Sequence, residues 1–425
     1  MIHSPSYTKP KTQTHISLPT PFNSSLHRLQ NFETLKSKSK SKMSDNIPFE
    51  LQAEIIKRVL PVKSLLRFRS VSKQWKSLID SSEFITRHAL NQSQPQHLLV
   101  SYITGGTGNK FVSVDACLPE YKYVSIVDDD CFPHHKFSPV VPPTVKLLSR
   151  PFMLDCSHGL VCLHGWTRDP VNRKKRLVVV WNPLIGKAVG IEIPDRADIV
   201  IGFGVCPKTS DAKIVKISRF VEATAEVFTL SSGAWRSVPM NKRLKSESLH
   251  FRNTQVVIDG VIYWLTYDNN ITDKLTFYSF DLASEEFGEA IDFPYNLAGR
   301  SGRLYNMSKI NDSLVVLSHH CIVTNSTPKL FCDVLMMLKN GVPKPSFTEL
   351  FTVNDVGLNS MIGFRKNGQP IIDQTKTHGY DGELEVYNLC SERINGLGIY
   401  GSLFRMTSYK ESLLLLNHSD SIIHS

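Results

Sequence analysis

After Pro95 the sequence repeats one short unit, a turn joined to an apolar strand-like run. Its six copies are SHGLVCL, IGFGVCP, IDGVIYWL, INDSLVVL, KNGQPIID and YKESLLLL, and each of the first five precedes a second strand-like run. The copies recur at intervals of roughly 50 residues, a period typical of a β-propeller. Residues 96–425 are therefore predicted to form a propeller-like all-β domain of about six or seven blades.

The two ends of this region each lack part of a repeat. HLLVSY and FVSVD, between residues 97 and 115, have no preceding unit, and SLLLLN, which begins at Ser412, has no following unit. In a propeller we expect these ends to share one blade and to close the ring. The alternative architecture is a pair of β-sandwiches in which similar hairpins recur by coincidence.

The segment before Pro95 has a helical pattern instead. Leu51, Ile55 and Val59 recur at every fourth position, Pro48 suits a first helical turn, and Pro61 cannot continue the helix. We expect two further short helices, one containing the run LLRF and the other containing WKSLI. Apolar residues lie on more than one face of these helices, so the segment is predicted to pack against a partner.

The net charge of +10 is unevenly distributed along the chain. Residues 1–42 contain seven basic residues and one acid, residues 43–95 contain eight and five, and residues 96–425 contain 34 and 33. A domain that binds nucleic acid concentrates positive charge on a folded face, so we expect no nucleic-acid partner. The basic, Ser-rich tail is predicted to be disordered. A transit peptide, or a functional start at Met43, remains an alternative.

The sequence lacks the common motifs of catalytic, redox and zinc sites and of membrane spans. It contains no C-x-x-C, G-x-S-x-G or H-E-x-x-H motif and no apolar run of 18 residues. GGTGNK at residues 105–110 is interpreted as a hairpin turn, residues 128–130 (DDD) as a solvated loop, and the histidine pairs at 134 and 319 as loop or surface residues. We therefore predict no catalytic, cofactor or metal site, no membrane association, and a cytoplasmic or nuclear location.

The helical segment IPFELQAEIIKRVLPVKSLLRFRSVSKQWKSLIDSSEFITRHAL resembles a plant F-box. The family pattern is roughly Leu-Pro-x-Glu, then Ile-Leu-x-Arg-Leu-Pro-Val-Lys-Ser-Leu, then Arg-Phe-x-x-Val-Cys-Lys-x-Trp. Ile47 and Ser72 depart from its commonest residues, and Val59 is an extra residue before Leu60. The resemblance implies a small all-α F-box of three short helices over residues 43–95, and hence an α+β multidomain chain.

The remaining sequence resembles the F-box-associated, kelch-like domain of the same plant family. The motifs SHGLVCL, VVVWNPLIGK, AEVFTLSSGAWRSV, VIDGVIYWL, FYSFDLASEEF and VLMMLKNG, then FTELFTV, follow the family order. Phe347 occupies a position where the family often has Trp, and residues 270–310 match weakly. The two resemblances together cover about residues 45–420.

An F-box implies docking to the Skp-type adaptor of a cullin–RING ubiquitin ligase, while the β-domain would bind a protein substrate through loops on one rim. The chain itself would perform no chemistry. Alternatives are a non-degradative binding protein, an S-locus-type receptor of a ribonuclease, and a propeller enzyme. The motif match assigns the following residues to the docking face or to the F-box's own core: Pro48, Leu51, Ile55, Leu60, Pro61, Val62, Leu65, Leu66, Phe68, Val71 and Trp75.

Overall fold

A computed structural model of the protein describes most of the chain beyond residue 46. The described residues are 47–59, 61–90, 95–104, 120–167, 175–193, 199–219, 223–246, 248–268, 275–294, 303–324, 327–338, 345–355, 358–374 and 382–424. The predictions for the tail 1–42, for GGTGNK, for FVSVD and for Leu60 lie outside these residues. The chain divides after Glu54 into two compact units, and every sheet belongs to the second.

Short helices occupy the start of the described chain, and one more lies between strands. They are α1 (Phe49–Val59), α2 (Val62–Phe68), α3 (Lys73–Ile79), α4 (Ser82–Ala89) and α5 (Pro143–Lys146). The segment predicted to hold three helices thus has a fourth, because the hydroxyl of Ser81 accepts a hydrogen bond from the Phe84 backbone and begins α4. A 3₁₀ turn covers Lys242–Lys245.

Antiparallel sheets make up most of the second unit. Blade 1 contains β4 (Leu148–Ser157), β5 (Leu160–Thr167), β6 (Arg176–Asn182) and β7 (Lys187–Ile193), with β25 (Ser421–Ile423) added parallel to β7. Blade 2 contains β8 (Ile199–Val205), β9 (Ala212–Ser218), β10 (Thr224–Thr229) and β11 (Ala234–Val238). Blade 3 contains β12 (Leu249–Ile258), β13 (Val261–Asp268), β14 (Leu275–Asp281), β15 (Glu286–Phe287) and β16 (Ile291–Asp292).

The later strands form a four-stranded sheet and a seven-stranded one. Blade 4 contains β17 (Leu304–Ile310), β18 (Ser313–Thr324), β19 (Thr327–Leu338) and β20 (Ser346–Asp355). The seven-stranded sheet contains, in spatial order, β21 (Leu358–Phe364), β22 (Pro370–Gln374), β23 (Gly382–Tyr387), β24 (Ile394–Lys410), β1 (Gln96–Ile103), β2 (Tyr121–Val127) and β3 (Lys136–Phe137).

The seven-stranded sheet is two blades joined through β24: blade 5 contains β21, β22, β23 and the first half of β24, and blade 6 contains the second half of β24 with β1, β2 and β3. The first half of β24 pairs with β23, and residues 402–410 pair with β1. Between the halves the chain turns at Leu403, whose φ of 53° lies in the left-handed region. The strands β4, β8, β12, β17, β21 and β24 contact one another in that order, and β24 contacts β4 again. The described residues therefore form a closed six-bladed propeller, in agreement with the predicted fold class.

The repeated turns follow from residues that tolerate positive φ. His158 and Gly159 have φ of 50° and 80°, and Asp259 and Gly260 have φ of 52° and 77°. Two successive residues with positive φ give the type I′ turn that matches the twist of an antiparallel hairpin. A Cβ on Gly159 would also lie only 2.5 Å from the carbonyl oxygen of Lys410, so this position excludes a side chain.

Ring closure differs from the prediction in one respect. Both ends of the propeller region do share a blade, but the closing strand is residues 402–410 and not SLLLLN. The run Leu413–Leu416 is buried outside any strand, and Asn182 Nδ2 donates to the carbonyl oxygens of Ser412 and Leu414 at 2.9 Å each. A short apolar run does not reveal by itself whether it is a strand, so the pattern was ambiguous at this point.

The interpretation of residues 128–130 as a solvated loop is wrong for Asp128. This carboxylate is completely buried and accepts hydrogen bonds from Arg365 Nε at 3.0 Å and from the Lys366 backbone at 2.6 Å. Arg365 comes directly after β21, so the ion pair joins blade 6 to blade 5. A buried carboxylate requires such partners, and they lie more than 230 residues away in sequence.

Glu411 connects the helices to the ring at the point where the ring closes. Its Oε2 accepts a hydrogen bond of 2.8 Å from the Val62 backbone, at the start of α2, and its Oε1 lies 3.4 Å from His97 Nε2 on β1. Burial by itself raises the pKa of Glu411, but the hydrogen bonds from His97 and Val62, with the charges of His97 and His88, bring it below its usual range.

Replacing Glu411 with Ala is expected to lower the free energy of unfolding by about 2–3 kcal/mol at pH 7, because the buried Val62 N–H loses its acceptor. A carboxyl with a depressed pKa stabilises the fold above its unfolded pKa, and that stabilisation is lost as the pH falls through the folded value. The difference between wild type and variant should therefore shrink below about pH 4.5. Urea denaturation at several pH values measures it.

The control variant is Glu289→Ala, which removes an exposed carboxylate. It is expected to change the free energy of unfolding by less than about 0.5 kcal/mol. Equal destabilisation by Glu411→Ala at pH 7 and pH 4 would contradict the assigned role of the charge.

Candidate functional site

The apolar residues of the helical segment divide into two groups by exposure. In the first group the side chains face solvent: Leu51, Ile55 and Val71 are 56%, 53% and 68% exposed, and Pro48 and Pro61 are also exposed. Leu51 and Ile55 are four residues apart in α1, so the helical period places them on one side of that helix. Neighbouring exposed apolar side chains are a feature of surfaces that bind a partner, whereas single ones are common on any protein surface.

The second group is buried or partly buried. Val62 and Leu65 are completely buried, and Leu66, Phe68 and Trp75 pack against the same core while keeping some exposed surface. Of the predicted site residues only Leu60 is outside the described chain. The predicted site residues that the structure describes thus differ in exposure, and the completely buried ones belong to the internal core.

The buried group packs against the propeller itself. Val62 and Leu65 belong to one apolar cluster together with Leu160 of blade 1, Phe203 of blade 2 and the run Leu413–Leu416. The partner required by part of this segment therefore lies within the chain. Other members of the cluster, absent from the predicted site, also come from the helical segment: Ile56, Ile79, Phe84 and Ile85.

Polar contacts hold the ends of helices α2 and α3 together and attach them to the C-terminal segment. Arg69, directly after α2, binds both carboxylate oxygens of Asp80, and Lys76 Nζ lies 2.6 Å from the same carboxylate. The hydrogen bond from Arg69 is the largest contribution that lowers the pKa of Asp80. The Asp80 carbonyl in turn accepts a hydrogen bond of 2.7 Å from Asn417 Nδ2, beside the buried leucine run. Val71 is exposed in the turn between these anchored helices.

A cavity of about 350 Å³ occupies the middle of the ring, lined by the first strands of several blades. Its main carboxylate, Asp155, accepts hydrogen bonds from Thr407 Oγ1 at 3.1 Å and from the Val257 backbone at 3.0 Å, and Lys309 Nζ lies 3.6 Å away. Gln255 exchanges two hydrogen bonds with the backbone of Phe203. These groups hold the blades together, since their hydrogen-bonding capacity is directed at neighbouring strands.

The buried thiol of Cys156 follows Asp155 in sequence and lines a second cavity. Burial raises the pKa of Cys156 to about 12, so the group is a neutral thiol at physiological pH and a poor nucleophile. Within the described ranges no three His, Cys, Asp or Glu side chains are grouped as metal ligands would be. In the same ranges, no helix has the length and apolar character needed to cross a bilayer.

Family models match both parts of the chain. The model described as the F-box domain matches residues 44–87, and the model described as the F-box associated beta propeller domain matches residues 154–388.

The curated relatives are plant F-box proteins. The chain is 29% identical over 257 residues to F-box protein At2g21930 of Arabidopsis thaliana, covering 57% of this chain and 60% of that protein. It is 26% identical over 234 residues to F-box protein At2g14710, covering 55% and 54%, and 27% identical over 262 residues to F-box/kelch-repeat protein At3g23880, covering 57% and 65%, both of Arabidopsis thaliana. The alignments thus span less than two thirds of these relatives' own length.

The division into two groups predicts that the same change, Leu to Ala, has a large effect on stability at a buried position and a small one at an exposed position. Leu65→Ala should lower the free energy of unfolding by about 2–5 kcal/mol, because it leaves a cavity in the shared core. Leu51→Ala should change it by less than about 0.5 kcal/mol, because that side chain is already in water. Urea denaturation of the two variants measures both values, and similar destabilisation by the two would contradict the division.

Proposed function

Because the chain belongs to the plant F-box proteins that carry an F-box associated beta propeller domain, we propose that it is the substrate-binding subunit of an SCF-type E3 ubiquitin ligase. Its F-box would dock the Skp-type adaptor, which links it to a cullin–RING ligase, and its propeller would bind a target protein. The complex would operate in the cytoplasm or the nucleus. The proposal keeps the predicted domain boundaries: tail 1–42, F-box 43–95 and propeller 96–425.

The observation that carries this proposal is the exposure of Leu51, Ile55 and Val71 in the segment that the F-box model matches. Leu51 and Ile55 lie one helical turn apart on α1, so they form a pair of neighbouring exposed apolar side chains, and contiguous apolar surface of this kind supports a docking role. Interfaces with permanent partners are rich in apolar contacts, which agrees with docking of an adaptor at these positions. Of the predicted docking residues, the proposal assigns Pro48, Leu51, Ile55, Pro61 and Val71 to direct contact.

Buried Val62 and Leu65 would then support the docking surface from beneath. Leu66, Phe68 and Trp75 would contribute through the part of each side chain that stays exposed. Catalysis in this arrangement is proximity: the chain positions a target for ubiquitin transfer by another subunit and changes no covalent bond itself. In the central cavity Asp155 and Gln255 bind neighbouring strands, which agrees with a structural part for these two side chains in a receptor.

The docking proposal is tested with the double variant Leu51→Glu, Ile55→Glu. Burial of each apolar side chain at the interface would contribute about 1.5–3 kcal/mol to binding. Because the double variant removes both side chains, its affinity for a purified plant Skp-type adaptor should fall at least about 100-fold. Biolayer interferometry with the full-length chain measures the affinity.

The matched control is Val140→Glu, which places the same charge at a side chain that is 72% exposed and lies outside the F-box match. The control should bind the adaptor like the wild type, and all three proteins should unfold at similar urea concentrations. Unchanged adaptor binding by the double variant would refute the assigned surface.

The degradative outcome needs a separate measurement. Proximity labelling in plant cells with the proteasome blocked should recover at least one protein whose abundance rises when this chain is deleted. Recovery of binding proteins with constant abundance would favour a non-degradative receptor. Recovery of a ribonuclease would favour the S-locus-type alternative.

A further inference from the structure

The wall of the central cavity contains an arginine whose hydrogen-bonding groups have no acceptor in the described chain. Arg405 of β24 lines this cavity and makes no hydrogen bond or ion pair with another described residue. Its guanidinium carbon lies 3.8 Å from the centre of the Phe152 ring, and this stacking holds the plane of the guanidinium. Arg405 keeps part of its surface exposed, and its nitrogens are not among the buried polar atoms that lack a partner. Its N–H groups are therefore accessible to a ligand.

The other charged groups of the cavity wall leave the charge of Arg405 uncompensated. Lys309 lies beside Asp155, whose oxygens also accept hydrogen bonds from Thr407 and from the β12 backbone. Asp373, the second carboxylate of the wall, is buried on β22. Burial lowers the pKa of Arg405, and the group that acts against this effect is the phenol of Tyr121 and not a carboxylate. A partly buried cation without a counter-ion favours binding of an anion.

Apolar and adaptable side chains form much of the remaining wall. Leu403 and Phe404 precede Arg405 on the same strand and line the cavity with it. Methionine has a flexible, polarisable side chain that fits ligands of different shape. Four methionines, from four different blades, line the cavity: Met153, Met307, Met361 and Met406. The wall thus combines one available cation with apolar surface.

The cavity has an opening away from helix α4. Ser408 lines both the central cavity and the second cavity, which Leu90 bounds at the end of α4. Leu403 lines the central cavity five residues earlier on β24, which is about 16 Å along an extended strand. Leu403 is 60% exposed, and Asn306 on the same part of the wall is also exposed. A ligand can therefore enter beside Leu403 and reach Arg405, two residues further along the strand.

We propose that the central cavity binds a small carboxylic acid with an apolar body, whose carboxylate Arg405 holds while the methionines and Leu403 contact the rest. A guanidinium presents paired N–H groups in a geometry that matches a carboxylate. The volume of about 350 Å³ lies within the range of small-molecule pockets. The inner strands of the blades can enclose a compact molecule, whereas a peptide would have to keep both of its flanking chains outside. This binding site does not depend on the proposed ligase role.

The test uses the full-length chain and four probes. Octanoate has the proposed chemistry, octanamide has the same length without the charge, and octylammonium has the opposite charge. A peptide of alternating Glu and Leu presents carboxylates from a protein source. Ligand-observed saturation-transfer NMR measures the affinity of each probe by titration at fixed salt.

Two sets of variants separate the charge of the site from its shape. Arg405→Gln removes the cation and Arg405→Lys keeps the charge without the planar fork, while the control Arg393→Gln removes an exposed arginine outside the cavity wall. Leu403→Asp and Leu403→Asn differ from each other only in the charge placed at the opening. Asp and Asn both tolerate the positive φ of this position.

Octanoate is expected to bind the wild-type chain about tenfold more tightly than octanamide, because the amide loses the charge-assisted hydrogen bond. Arg405→Gln should weaken octanoate about tenfold, Arg405→Lys should bind it with intermediate affinity, and Arg393→Gln should bind it within about twofold of wild type. Leu403→Asp should bind octanoate about threefold more weakly than Leu403→Asn, because a carboxylate at the opening repels the ligand.

The inference is overturned if octanoate does not bind, if octanamide or octylammonium binds as tightly as octanoate, or if Arg405→Gln retains wild-type affinity. Tighter binding of the Glu peptide than of octanoate, dependent on Arg405, would replace the small acid by a protein segment. Urea denaturation establishes that each variant is folded. If Arg405→Gln does not fold, the comparison of the two Leu403 variants decides, since that side chain is already in water, and equal octanoate binding by the two would overturn the site.

Discussion

The pairing of β24 with β1 is the contact on which the rest of the structure depends. It joins residues 402–410 to residues 96–103 in one blade, so that the chain enters and leaves the ring at the same place. The helices that precede β1 and the leucine run that follows β24 are thereby brought together, although more than 300 residues separate them in sequence. Glu411, the first residue after β24, uses this proximity: its carboxylate reaches both α2 and β1. Without closure, neither the shared apolar core nor this buried charge would have its partners.

Closure also explains how a small helical segment is stabilised. A few short helices bury too little of their own surface to be stable alone. Here the inward side chains, such as Val62 and Leu65, enter a core to which blades 1 and 2 and the C-terminal leucines contribute. The outward side chains of Ile55 and Val71 are left in water. One helical segment thus divides its apolar residues between the chain's own fold and the surface, and the surface share is what a docking role requires.

The sequence predicts the helices and turns of this fold better than it predicts which residues pack against them. The type I′ turns at His158 and Asp259 are local, since two adjacent residues determine them, and the helical period of α1 is equally local. The exposure of Leu51 beside the burial of Leu65 could not be predicted, because a period identifies a face without saying what covers it. The burial of Asp128 depends on Arg365, and the burial of the leucine run depends on Asn182. Each of these contacts is set by ring closure, which no short pattern encodes.

The attachment of helices α2, α3 and α4 to the ring limits how far they can move relative to the propeller. Glu411, the Asp80–Asn417 hydrogen bond and the shared apolar core hold these helices to the ring by contacts of different kinds. Polar and apolar contacts at several separate points resist rotation as well as translation, which a single flexible linker would permit. In the proposed receptor role, a target bound on the propeller would therefore stay at a fixed distance from helices α2 to α4. In the proposed ligase role ubiquitin transfer depends on proximity, so a fixed distance would restrict which lysines of a bound target come within reach, and the geometry of the ring would contribute to specificity.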